Sequence, residues 1–118
     1  MESWEYQARY EFMRDLMYYA RTIPFIPTTE QLNNLVSGTP KLTDKQRYVV
    51  MGRWEGQTYR YIGEHLPTGK VTAPRARQLF SNAIRRMRGS RSSGLLKLGL
   101  TPEQISQYNS EWDDYFGR

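Results

Sequence analysis

The stretch KVTAPRARQLFSNAIRRMR, residues 70–88, holds five arginines and one lysine and no acid. Its apolar residues Ala76, Leu79, Phe80, Ala83, Ile84 and Met87 recur at i, +3, +4, +7, +8 and +11. That is the stripe of a helix with one side in a core. Arg75, Gln78, Asn82 and Arg85 fall on the opposite side, flanked by Arg77, Ser81, Arg86 and Arg88. Arginine can hold a guanine edge by two hydrogen bonds, and an amide side chain can do the same with adenine. Guanidinium groups also match the oxygens of a phosphate. The chemistry on offer is recognition of a polyanion. The plainer alternative is a solvated charged face.

Charge distribution favours the polyanion. Residues 1–40 carry three Lys/Arg against five Asp/Glu, residues 41–69 five against three, residues 70–97 eight against none, and residues 98–118 one against four. The excess behind the net charge of +5 therefore sits in one block. A focused basic patch attracts polyanions, of which nucleic acid is the commonest.

Several function classes fall away. The chain has no cysteine, so disulfides, thiol catalysis and thiolate metal sites are excluded, and one histidine makes a zinc site a poor fit. Asp113 and Asp114 are neighbours on an expected helix and diverge by about 100°, a poor arrangement for sharing an ion. His65 has no nucleophile or acid in a catalytic spacing, and Gly69-Lys70 lacks the glycine pattern of a phosphate loop. The reading is therefore not an enzyme, with no cofactor and no metal. No apolar run approaches the roughly 18 residues of a membrane span. The opening MESWEYQARY is acidic and aromatic and does not read as a signal peptide. The expected location is the cytoplasm of a bacterium, or of an infected host.

The elements that must position these residues read as helices throughout, so the expected fold class is all-α. The length of 118 residues suits one compact domain. A first helix is predicted over 3–22, capped by Ser3, with Tyr6, Tyr10, Met13 and Met17 on its buried stripe beside Leu16 and Ala20, and with Pro24 and Pro27 ending it. Thr28 or Thr29 caps a short second helix that Gly38 terminates. Thr43 caps a third, running to Trp54, with Val49, Val50 and Trp54 inward. Thr58 caps a fourth over 59–66, with Tyr59, Ile62 and Leu66 inward. Its Gly63 leaves room for close approach. Pro67-Thr68-Gly69-Lys70 is a turn. Thr72 caps the fifth helix, with Pro74 in its first turn. Gly89–Gly94 reads as a loose loop or hinge. Thr101-Pro102-Glu103-Gln104 starts a last helix that carries Ile105, Tyr108, Trp112, Tyr115 and Phe116 and ends acidic. The organisation is an N-terminal helical arm (1–40), a central basic unit (41–91) and an acidic C-terminal helix (92–118).

Two short helices and a turn before a basic amphipathic helix is the order of a helix-turn-helix reader. LTDKQRYVVMGRWEGQTYRYIGEHL followed by VTAPRARQLFSNAIRRMR further resembles region 4 of bacterial sigma factors, which reads the −35 promoter element. The likeness covers about residues 42–88. Its functional matches are Thr72, Arg75, Arg77 and Gln78. Two local features depart from the family: four residues, PTGK, replace the usual single glycine before the basic helix, and Ala73 and Pro74 stand where polar base contacts are common. The chain also has no stretch resembling region 2.

The resemblance implies a transcription regulator of the kind phages and mobile elements carry. It would bind double-stranded DNA with its fifth helix in the major groove. Base contacts would come from Arg75, Gln78 and Asn82. Phosphate contacts would come from Lys70, Thr72, Arg77, Arg85, Arg86 and Arg88. Arg47, Arg53 or Arg60 would brace the backbone, unless Arg53 pairs with Glu64. The family also binds the flap of the RNA polymerase β subunit, so a polymerase-interaction module with weak DNA binding is the alternative. The DNA-recognition subunit of a phage packaging terminase is a further one, and a homo-oligomer remains open.

Overall fold

The computed structural model describes residues 2–23, 25–88 and 98–117, and all their regular structure is helical. Six α-helices follow in order: α1 (Ser3–Leu16), α2 (Thr29–Ser37), α3 (Asp44–Trp54), α4 (Tyr59–Glu64), α5 (Ala73–Arg88) and α6 (Pro102–Phe116). The segment 89–97, which includes the expected hinge, lies outside the described residues, as does Pro24.

Local chemistry sets most helix starts. The hydroxyls of Thr28, Thr43, Thr58 and Thr101 each accept a backbone N–H three residues on, at 3.1–3.2 Å. At Thr28, Thr43 and Thr101 the glutamine at that third position returns the bond, its side-chain oxygen accepting the threonine N–H. Such a cap stabilises a helix by about 1 kcal/mol.

α5 is the hub: it packs on α3, α4 and α1, and α3 also packs on α1 and α4. All six residues of the α5 apolar stripe are buried. Leu79, Phe80, Ala83, Ile84 and Met87 among them meet Phe12, Met13, Leu16, Val49, Val50, Trp54 and Ile62 in one core. Phe12 stands edge-on to both Trp54 and Phe80, at 5.3 and 5.7 Å between ring centres.

The first helix differs from expectation at both ends. Glu2, not Ser3, is its N-cap, and the helix stops at Leu16 rather than at 22. Met17 leaves helical geometry (φ −114°, ψ 47°). The cause lies 72 residues away: Arg88 Nε donates to the Leu16 carbonyl (2.9 Å) and its Nη2 to the Asp15 carbonyl (2.8 Å). These are carbonyls that a helix end leaves without partners. Met13, Leu16, Met17 and Ala20 of the expected stripe are buried, Phe12 joins them, and Tyr6 is 55 % exposed. The second half of α1 is core.

α4 ends at Glu64, two residues earlier than predicted, and the chain folds back over it. Val71 N donates to the Gly63 carbonyl at 3.0 Å. A Cβ on residue 63 would sit 2.5 Å from the Val71 carbonyl oxygen. Gly63→Ala should therefore cost about 1–3 kcal/mol by forcing α4 from the turn that leads into α5. Urea denaturation measures this, and an unchanged midpoint would show that the approach is not tight. Within the turn of residues 67–70, Gly69 adopts φ +126°, a conformation reserved for glycine.

α6 docks on the turn after α1. Tyr108 is buried, Trp112 stands edge-on to Tyr19 (5.1 Å), and Tyr18 meets Tyr115 and Phe116. Arg21 Nη2 reaches Asp114 at 2.5 Å. Burial pushes the Tyr19 hydroxyl up to about 12.

Candidate nucleic-acid interface

With its apolar stripe in the core, α5 turns its polar side outward. Pro74, Arg75, Arg77, Gln78, Ser81, Asn82 and Arg85 line one continuous surface along it. The helix starts at Thr72, whose Oγ1 accepts from Arg75 N at 3.3 Å. That hydroxyl keeps its own proton to donate. The three base-reading candidates, Arg75, Gln78 and Asn82, share this surface. Arg75 Nη1 donates to Gln78 Oε1 at 2.5 Å, so each fixes the other's direction, and both residues are exposed.

The phosphate candidates separate into groups. Arg77 and Arg85 are exposed on the same surface. Lys70 is exposed on the loop before α5. Arg86 is exposed, and its Nη1 donates to the Lys41 carbonyl. Arg88 is half-buried: besides closing α1, its guanidinium lies 4.1 Å from the Tyr18 ring centre. Burial pulls Arg88 below the ordinary arginine value, and Tyr18 and Tyr19 act in the opposite sense.

Elsewhere among the described residues four arginines find acids, among them Arg21 in the pair with Asp114 above. Arg9 pairs with Glu5 (3.1 Å), Arg47 with Asp44 (3.3 Å) and Arg60 with Glu64 (3.1 Å). Among the described residues none of Arg75, Arg77, Arg85, Arg86 and Arg88 has an ion pair with an acid. Five like charges on one helix repel each other, and a polyanion relieves that repulsion.

Arg53 does not pair with Glu64, which Arg60 holds. It donates instead to the Gln57 carbonyl at 2.8 Å and lies 4.5 Å from the Tyr59 ring centre. Tyr59 also carries Arg77 over its face at 5.7 Å. Arg53, Arg77, Arg85 and Arg88 open into one cleft of about 360 Å³ beside α5, whose acid is Asp15 of α1. Loss of water raises the Asp15 carboxyl above the ordinary aspartate value, and the nearby Arg53 opposes this. Asp15 escapes sequence reasoning because nothing local links it to residues 53–88.

His65 closes α4: its Nδ1 lies 2.8 Å from the Tyr61 carbonyl and its ring stacks on Tyr61 at 4.0 Å. No cluster of three or more His, Cys, Asp or Glu suited to a metal ion occurs among the described residues. No helix among them is long and apolar enough to cross a membrane. Compared with models of known families, with curated proteins and with solved structures, the chain finds no match.

Proposed function

We propose that the protein is a DNA-binding transcription regulator that sets α5 in the major groove of duplex DNA, with α4 and α5 acting as a helix-turn-helix. The observation that carries this reading is the outer face of α5: Arg75, Gln78 and Asn82 on one surface, bordered by arginines that form no ion pair with an acid among the described residues. A helix of this kind fits the major groove, and its amide and guanidinium groups match base edges there. The resemblance of residues 42–88 to sigma region 4 supports the same docking and adds RNA polymerase as a partner.

The test is fluorescence anisotropy on a duplex selected from a random pool. Arg75→Ala and Gln78→Ala should each lose about 1–3 kcal/mol on the selected site and relax its base preference. Wild-type affinity in both variants would show that this face does not read bases.

A second reading has its own observation. Tyr48, Met51, Leu66 and Pro67 line a groove of about 450 Å³ between α3 and the turn after α4, edged by Asp44, Lys45 and Arg47. It would suit a protein partner such as the polymerase flap. Capture of the purified flap domain by a protein that shows no duplex affinity would favour this reading over the first.

A further inference from the structure

We infer that the cleft between the end of α1, α3 and α5 is a phosphoryl-binding site, built from Arg53, Arg77, Arg85 and Arg88. Four guanidiniums and one carboxylate, Asp15, line about 360 Å³. Asp15 forms no ion pair with any of the four. The cleft therefore holds an excess of positive charge that the described residues leave unneutralised.

Two of the four guanidiniums are fixed in advance. Arg53 is held by the Gln57 carbonyl and the Tyr59 ring, and Arg88 by two α1 carbonyls and the Tyr18 ring. Groups already ordered lose little freedom on binding, so more of their attraction appears as affinity. Carbonyls and rings also leave the positive charge intact, whereas a carboxylate would cancel it. Several N–H forks around one space match the oxygens of a phosphoryl group better than the two oxygens of a carboxylate.

That phosphoryl group has two sources: a backbone phosphate of duplex DNA, or a free phosphate compound. The first rests on the duplex-binding reading above. Arg77 and Arg85 belong both to the outer face of α5 and to the cleft, so a duplex on that face brings a strand alongside it. Asp15 then acts as a counter-charge that weakens the site.

The experiment titrates a mixed-sequence duplex across a salt series, and separately inorganic pyrophosphate by calorimetry, with Arg53→Met, Arg85→Ala and Asp15→Asn, each checked for folding by thermal melting. Arg53→Met and Arg85→Ala should weaken duplex binding on all sequences alike and lower the salt slope by about 1. Asp15→Asn should tighten it about fivefold at low salt, the size expected for removing one nearby charge. If Arg53→Met fails to fold, the other two variants decide. Wild-type duplex affinity and slope in the folded variants would overturn the cleft site while leaving duplex binding standing. Pyrophosphate binding that Arg85→Ala abolishes, with no duplex binding, would assign the site to free phosphate and remove the DNA reading. Binding of neither probe would overturn both.

Discussion

Trp54→Ala is expected to cost about 3–5 kcal/mol of folding stability, the range for emptying a large aromatic site. Trp54 is 0 % exposed and joins three helices. Its ring meets Phe12 of α1 edge-on, its Nε1 donates to Thr29 Oγ1 of α2 at 3.1 Å, and the Arg9 guanidinium lies 4.9 Å from the ring centre. A domain of this size has a total stability of only about 5–15 kcal/mol. The variant should therefore unfold at low urea or fail to fold at 37 °C. Trp54→Phe separates the contributions. It keeps an aromatic ring against Phe12 but gives up the bond to Thr29, and should lose less than the alanine variant. A loss below about 1 kcal/mol for Trp54→Ala in urea denaturation would mean that α1 is held to α3 by other contacts.

What could be read from the sequence follows the range of the forces involved. Thr28, Thr43, Thr58 and Thr101 act within three residues, so their caps were legible from local spacing. The α5 stripe was legible because 3.6-residue periodicity decides its buried face without reference to any partner. The end of α1 was not, because Arg88 supplies it from the far end of α5. The buried residues Met13, Leu16, Met17 and Ala20 of the expected stripe were legible, whereas Phe12 was not, because Trp54 and Phe80 from other helices draw it inside. The same division runs through the site. Arg75, Gln78 and Asn82 share one surface as their spacing implies. The pairing of Arg53 with Glu64 gave way to a nearer one, Arg60 with Glu64 at four residues' distance. The cleft that gathers Asp15 with Arg53, Arg77, Arg85 and Arg88 needs three helices to be in place before it exists.

Duplex binding should fall steeply with salt, with a slope of log affinity against log salt on the order of −4 to −6. Raising salt from 50 to 200 mM would then weaken binding by roughly 250-fold to 4,000-fold. The estimate rests on which cations remain uncompensated. Arg47 and Arg60 are paired with Asp44 and Glu64, so they release few counterions from DNA. Lys70, Arg77, Arg85, Arg86 and Arg88 have no such pair among the described residues. The carbonyls that hold Arg86 and Arg88 occupy donors without cancelling charge, so both still count. About five phosphates at ~0.9 counterion each give the lower part of the range, and Arg53 in the cleft adds to it. Fluorescence anisotropy on a mixed-sequence duplex measures the slope directly. A slope near −1 would mean that α5 touches DNA end-on rather than along its length. No binding even at 50 mM would remove the duplex reading, because duplex phosphates at low salt are the easiest polyanion for such a face to hold, and would leave an RNA, the acidic surface of a protein or a free phosphate compound as what the unpaired guanidiniums meet.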